Sequence, residues 1–318
     1  MTTRRRVMQA AALGAAAMAT GPARAATPTA PSFEIPAGAC DCHVHVFPDP
    51  ARFPFFAGRS YTPPVATAAD LLQLQRALKL DRVVIVTPSV YGTDNRATLD
   101  GIRELGPQRA RGIAVIDGSA TPAQLDELHQ AGIRGVRVNL ETAGVVDPAA
   151  SGQKLKAAVD QVKARGWHVQ TYTRLSIIEA LKDQLMQMPV PLVVDHFGGA
   201  RGELGVSQPG FASLVDLVKA GKAYVKISGA YRSSNAAPDF ADVTPLAQAL
   251  IAANPDRIVW GTDWPHPNTS LQKPATEISE PVPIDDGLLL NQLAKWAPDA
   301  ATRRKILVDN PARLYGFG

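Results

Sequence analysis

Ala39-Cys40-Asp41-Cys42-His43-Val44-His45 decides the fold of this 318-residue chain. The first six residues predict a short buried strand, Ala39–Val44, and the residues just after that strand separate two α/β architectures. An open, doubly wound nucleotide-binding sheet needs a glycine-rich first crossover that brings backbone N–H groups against phosphate. Here the strand runs instead into His-Val-His, and neither GxGxxG nor GxxxxGK[ST] occurs in the chain. Working outward, Val- and Ile-rich segments predict further strands at Arg82–Val86, Gly112–Ile116, Gly135–Val138, His168–Tyr172, Leu192–Val194, Ala223–Ile227 and Arg257–Trp260. They scarcely alternate between apolar and polar residues, as expected of parallel strands covered on both faces. Helical patterns lie between them, near Ala68–Leu78, Thr98–Leu105, Pro122–Ala131, Gln153–Ala164, Ser176–Met188, Phe211–Lys219 and Pro245–Ala252. A last helical region runs over 287–307 with a break near Pro298. Eight strand–helix units in about 280 residues predict a single-domain α/β fold, the (β/α)8 TIM barrel, over residues 37–318.

With 46% hydrophobic and 19% charged residues, the chain can build a sizeable core and lies outside the disordered range. Its net charge of +4 does not make nucleic acid a partner. Arg4, Arg5, Arg6 and Arg24 lie in the first 25 residues, which hold no acid, so the rest carries 29 Lys and Arg against 29 Asp and Glu. No basic patch is needed. Residues 1–25 join a basic start, an Ala-rich apolar run from Ala10 to Met18 and the small-x-small end Ala23-Arg24-Ala25. That is the pattern of a secretory signal peptide, and its paired arginines predict the twin-arginine export machinery as a partner and a periplasmic location. The apolar run is too short to cross ~30 Å of hydrocarbon, so no stable membrane span is expected in the mature chain. Residues 26–36, rich in Pro and Thr, read as a linker. Cys40 and Cys42, two apart on one extended segment, read as small core side chains, since a disulfide between them is strained.

In a barrel of this kind reactive groups belong at the C-terminal strand ends, and unusual polar residues collect there. The first strand ends in Asp41-Cys42-His43-Val44-His45, the second at Thr87-Pro88-Ser89, the sixth in Asp195-His196 and the eighth in Gly261-Thr262-Asp263-Trp264. The fourth contains Arg137, the fifth ends at Tyr172, and Tyr231-Arg232 comes after the seventh. Residues two apart on a strand share a face, so both imidazoles of His43 and His45 point to one mouth. His43, His45, His196 and Asp263 therefore converge from three separated strands. Two imidazoles on one face are costly to bury without a purpose. His129 reads as a helix-surface residue, His168 as a hydrogen-bonded core residue and His266 as a support. No GxSxG elbow, HExxH helix or paired CxxC knuckle occurs, which excludes the usual serine-hydrolase, metalloprotease and zinc-knuckle readings.

At these residues the chain resembles the amidohydrolase superfamily, in its 2-pyrone-4,6-dicarboxylate lactonase-like branch. The likeness spans nearly all of residues 36–317. It is carried by Asp41-Cys42-His43-Val44-His45-Val46-Phe47, Gly92-Thr93-Asp94-Asn95, Gly132-Ile133-Arg134-Gly135-Val136-Arg137, Asp195-His196, the octapeptide Gly261-Thr262-Asp263-Trp264-Pro265-His266-Pro267-Asn268 and the terminal Asn310-Pro311-Ala312-Arg313-Leu314-Tyr315. The resemblance implies a hydrolase that opens the lactone ring of a carboxylated small molecule: 2-pyrone-4,6-dicarboxylate-like, muconolactone-like or a sugar-acid lactone. By position, it implies that Asp263 activates water while His43, His45 and His196 polarise the lactone carbonyl. It gives Tyr61, Ser89, Arg137, Tyr172 and Arg232 the substrate's carboxylates and ring oxygens. Two arginines of the branch are replaced here by Ala143 and Gly199, with Arg201 the nearest substitute in sequence. A base for water, donors for the oxyanion and a planar guanidinium for a carboxylate are what lactone opening requires.

Many amidohydrolases hold divalent metal through His-x-His and the strand-eight Asp, and the resemblance implies that this branch works without it. Arg137 repels a dication and Tyr172 is a poor ligand, so no cofactor is expected. The alternative is one ion such as Zn on His43, His45 and Asp263. Alternative activities on the same barrel are a metal-dependent amidohydrolase or decarboxylase and a lactone isomerase.

Overall fold

The computed structural model describes residues 27–269 and 273–318. The predicted signal peptide lies outside the described residues. Eight parallel strands form one sheet in sequential order: β1 Cys40–Val44, β2 Arg82–Val86, β3 Ala110–Ala114, β4 Ile133–Asn139, β5 His168–Tyr172, β6 Leu192–Val194, β7 Ala223–Ser228 and β8 Ile258–Gly261. The sheet closes just beyond β8, where Val44 bridges to Trp264 in parallel. Across this seam the Asp263 amide donates to the His43 carbonyl and the His45 amide to the Trp264 carbonyl, both at 2.8 Å. Gly261 permits the approach, because a Cβ there lies 2.7 Å from the His43 nitrogen. The result is the (β/α)8 barrel expected from the strand count. No helix among the described residues is long and apolar enough to cross a membrane.

The helices cover the sheet with their apolar faces. Ala68–Leu78 starts at Thr67, which exchanges side-chain and backbone hydrogen bonds with Asp70, and Pro122–Gln130 starts at Thr121 with Gln124 in the same reciprocal box. The outer core is formed by residues such as Leu71, Val83, Ile85, Leu155, Leu214, Leu250 and Trp260. A second cluster fills the barrel floor: Cys40, Cys42, Val84, Val86, Val193, Tyr224, Val259, Tyr315 and Phe317. Both cysteines are buried and free, as the spacing predicts. Asn310 ties the C-terminal helix to β8 by donating to the carbonyls of Pro255 (2.8 Å) and Ile258 (2.7 Å).

Several features differ from expectation. β3 starts and ends two residues early, at Ala110 and Ala114, and Arg111, at the barrel's N-terminal end, folds its guanidinium over Phe317 and onto the Gly316 carbonyl. The helical stretch expected over Ser176–Met188 is two helices, Leu175–Ala180 and Lys182–Met186, meeting at Leu181. The residues after the signal-peptide pattern are also anchored. Thr29 donates to Asp285 through its amide (2.9 Å) and hydroxyl (2.6 Å), and Asn291 donates to the Ala30 carbonyl (3.0 Å).

Candidate active site

A bulge in β1 aims the site. Asp41 pairs with Val83 and Val44 with Ile85, so β1 holds one residue more than β2 over that stretch. Below the bulge Cys40 and Cys42 join the barrel floor. Above it His43 faces the interior groups Asp195 and Lys226, and His45 faces Asp263. Both two-residue spacings thus point inward, although they differ by one residue in parity.

Asp263, at φ 67°, is fully buried at the centre. Its Oδ2 accepts from the Tyr231 hydroxyl at 2.7 Å and from the Arg232 Nε. Its Oδ1 has no hydrogen-bond partner among the described residues and faces His43 Nε2 at 3.6 Å and His45 Nε2 at 3.5 Å. Burial alone raises a carboxyl pKa, but the Arg232 guanidinium beside it overrides that and holds Asp263 well below the usual range. His45 Nδ1 lies 2.7 Å from the Val86 carbonyl, which makes Nδ1 the protonated nitrogen and leaves Nε2 a lone pair. His196 sits 3.0 Å from the Ser228 hydroxyl through Nδ1 and 3.9 Å from Asp263 through Nε2. Burial keeps all three imidazoles neutral, and that of His196 titrates only near pH 4.

His196 opens an unusual turn. Four successive residues, His196, Phe197, Gly198 and Gly199, have φ between 49° and 72°. That conformation is costly for the two L-residues, and the two glycines after them extend it without further strain. The turn carries His196 over β6 and stacks its ring edge-on to Tyr172 at 5.0 Å.

Beneath these groups lies a fully buried charged layer. Asp195 accepts from Arg137 Nε (3.2 Å) and Gln170 (3.0 Å) on Oδ2, and its Oδ1 faces His43 Nδ1 (3.3 Å) and Lys226 Nζ (3.6 Å). Lys226 also donates to Gln170 at 2.7 Å. Burial opposes ionisation of both groups: Lys226 is lowered, while the imidazole and cations around Asp195 hold its carboxyl below the ordinary range.

A cavity of about 310 Å³ opens above Asp263. It is lined by eight of the nine residues singled out in the sequence: His45, Tyr61, Ser89, Arg137, Tyr172, His196, Arg232 and Asp263. His43 is not in the lining; it lies between Asp263 and Asp195. Arg201 and Gly199 line a neighbouring cavity instead. Sequence reasoning missed Asn139, Thr142, Pro267 and Thr269 in the lining, and gave Asp195, Gln170 and Lys226 no role. A lysine in the apolar run Ala223-Tyr224-Val225-Lys226-Ile227 was the available signal. His266 meets Asp286 at 3.0 Å and packs edge-on against Tyr231, consistent with a supporting position. His168 departs from expectation: it is buried on the barrel floor against Tyr315, both ring nitrogens lack hydrogen-bond partners among the described residues, and burial lowers its pKa to about 3.

The atoms His43 Nε2, His45 Nε2 and Asp263 Oδ1 all lie within 4.8 Å of one another. Two imidazole lone pairs and one carboxylate oxygen fit one divalent ion with an open position. A second group, His43, Asp195 and His196, does not fit: the Lys226 ammonium already faces the same Asp195 oxygen.

The barrel, with these acceptors and guanidinium groups gathered at the C-terminal strand ends, defines an enzyme of the amidohydrolase class. The chain belongs to the amidohydrolase family, whose sequence profile matches residues 40–317. It is 37% identical over 288 residues to 4-sulfomuconolactone hydrolase of Hydrogenophaga intermedia, covering 89% of this chain and 90% of that protein. It is also 37% identical over 299 residues to 2-pyrone-4,6-dicarboxylate hydrolase of Comamonas testosteroni, covering 91% and 94%. Identity to D-galactarolactone isomerase of Agrobacterium fabrum is 30% over 290 residues, covering 90% and 94%. Among solved structures, a putative 2-pyrone-4,6-dicarboxylic acid hydrolase from Pseudomonas putida superposes with a TM-score of 0.75 at 31% identity, covering 89% of this chain and 99% of that one.

Proposed function

We propose that this protein is a lactonase that adds water to the ring carbonyl of a carboxylated lactone, with Asp263 Oδ1 receiving the proton from water. The observation that carries this is the convergence of three acceptors, Asp263 Oδ1, His43 Nε2 and His45 Nε2, on one point beside the cavity. What satisfies three acceptors is a donor or a cation. A water held there donates its two protons to two of them, Asp263 Oδ1 among them, and presents its oxygen to the cavity. Tyr231 and Arg232 hold the other carboxylate oxygen, so the base keeps one orientation and remains ionised across the neutral range. On the substrate side, Arg137 has its Nε on Asp195 and turns the rest of its fork to the cavity that Ser89 and Tyr61 also line. These donors and the His196 Nε2 side suit a carboxylate and the oxyanion that forms as the ring carbonyl is attacked. The names of the relatives at 37% identity support a lactone bearing carboxylate or sulfonate.

His43, His45 and Asp263 are also the residues that would hold a divalent ion, which when bound supplies a Lewis acid and a more acidic water. We propose that turnover does not need it, because Lys226 Nζ lies 3.4 Å from His43 Nδ1 and Arg232 bonds the same carboxylate. Both charges oppose a dication. The test is ring opening of 2-pyrone-4,6-dicarboxylate and muconolactone by chelator-treated protein, with Asp263→Asn alongside. Turnover by the treated wild type and a loss of ~10²–10⁴ in kcat for the variant are expected. An active Asp263→Asn enzyme refutes the base; activity restored only by added metal refutes metal independence. We also propose that the mature protein is periplasmic and is exported through its twin-arginine leader. Fractionation of cells carrying Arg4→Lys/Arg5→Lys/Arg6→Lys tests this by retention of the precursor in the cytoplasm.

A further inference from the structure

Beside the reaction cavity lies a second one of about 870 Å³. Tyr172 and Arg232 belong to both linings, so the two cavities meet at these side chains. The reaction cavity is the smaller of the two, and the second, which opens to solvent, is larger than a single carboxylate needs. Gly199, at φ 72°, belongs to its wall, packed so that a Cβ there lies 2.9 Å from the Thr173 carbonyl.

The chamber is built as a polar receptor. Three guanidinium groups, Arg174, Arg201 and Arg232, line it against one carboxylate, Glu141. Arg174 is satisfied by that carboxylate in a two-pronged pair at 2.6 and 2.8 Å, and Arg232 by Asp263. Arg201 is the guanidinium left with donors to spare. It makes one bond to Glu203 (3.1 Å) and one long contact to the Arg232 carbonyl (3.4 Å). Its backbone is fixed: the buried Gln208 carboxamide accepts from the Arg201 amide and donates to the Arg201 carbonyl, both at 2.9 Å. An arginine whose backbone is fixed and whose guanidinium keeps free donors is what an anionic oxygen group requires.

We propose that the second chamber is a substrate subsite, and that the natural substrate is a lactone with a flexible arm of several atoms. The arm passes Tyr172 and Arg232 and ends in an anion held by Arg201. This rests on the lactonase reading for the ring in the first cavity. It makes Arg201 a specificity residue for arm length, distinct from the groups that act on the ring.

The test is calorimetric binding of linear dicarboxylates, malonate, adipate and azelate, to the full chain, with heptanoate as a chain carrying one anion. A length that joins the two cavities brings a second charged contact, so Kd is expected to fall about ten- to a hundredfold from malonate to the best longer diacid. Heptanoate lacks that gain. In Arg201→Gln the ratio collapses to about threefold or less, and in Ser176→Trp, which fills the chamber from an exposed position, it collapses likewise. A flat series, no measurable binding, or an Arg201→Gln series matching wild type overturns the proposal. Lack of lactone turnover with the length dependence intact overturns the activity reading and leaves the chamber assignment standing.

Discussion

Replacing Asp41 by Asn is expected to make the protein less sensitive to rising pH, by an amount the seam geometry sets. Asp41 joins β1 to the end of β8: its Oδ1 accepts from the amides of His43 (3.1 Å) and Thr262 (3.0 Å), and its Oδ2 from the Thr262 hydroxyl (2.6 Å). Burial outweighs these three donors and pushes its pKa up to about 7. Unfolded, an Asp titrates near about 3.9. Between about pH 4 and 7 the folded state therefore keeps a proton that the unfolded state has released, and stability falls as pH rises. The gap between the folded and unfolded values corresponds to about 4 kcal/mol by about pH 8. Asn keeps an oxygen for the two amides and donates to Thr262 Oγ1, so the seam persists and only the titration is removed.

The other buried groups have their own windows. His43, His45 and His196 have lowered pKa values, so they add stability as pH rises towards about 6.5; Asp195 and Asp263, also lowered, lose theirs only as pH falls below about 4. The wild-type curve is thus a sum of opposing slopes, and the difference between variant and wild type isolates Asp41. Urea unfolding monitored by circular dichroism at about pH 4.5, 6, 7 and 8 should show Asp41→Asn gaining on wild type progressively, by about 4 kcal/mol over the range. A difference that does not change with pH refutes the argument.

The same geometry sets other outcomes. Lys226→Met removes the ammonium that shares Asp195 Oδ1 with His43 Nδ1; kcat should fall about ten- to a hundredfold with the circular dichroism spectrum unchanged, and an unaltered kcat removes Lys226 from the site's support. Because Asp263 is held ionised and His196 neutral down to about pH 4, kcat/KM should be flat from about pH 8 to about 5 and fall only below that. An acid limb near about pH 6.5 in the pH–rate profile shows instead that an imidazole titrates at its ordinary value. For Asp263→Asn, the retained affinity for a carboxylated product, measured by calorimetry, should accompany the loss of turnover.

The succession of strands and helices is legible in the sequence because it is a local property, written in buried Val/Ile runs and amphipathic stretches, and the strand order of a barrel comes from repetition of one unit. Placing polar residues at strand ends was enough to gather His45, His196, Asp263, Arg137 and Arg232, because every C-terminal strand end of such a barrel faces the same mouth. Lys226 and Gln170 were passed over because an inward strand position reads as apolar core unless its partners are known. Their partners, Asp195 and His43, lie 25 or more residues away in a chain whose local pattern carries no pairing information.

Sequence alone determined the architecture, the set of polar residues at the strand ends and the absence of a phosphate-binding crossover, since each depends on short-range pattern. Tertiary structure decided the aim of those groups. The single extra residue in β1 puts Cys42 and His43 both inside the barrel, where unbroken alternation sends one of them out. After the left-handed turn at His196–Gly199 the chain carries Arg201 to the second chamber rather than to the reaction cavity. Register and backbone handedness are settled by closure of the whole sheet and by contacts between distant strands, and a local stretch of residues does not contain them.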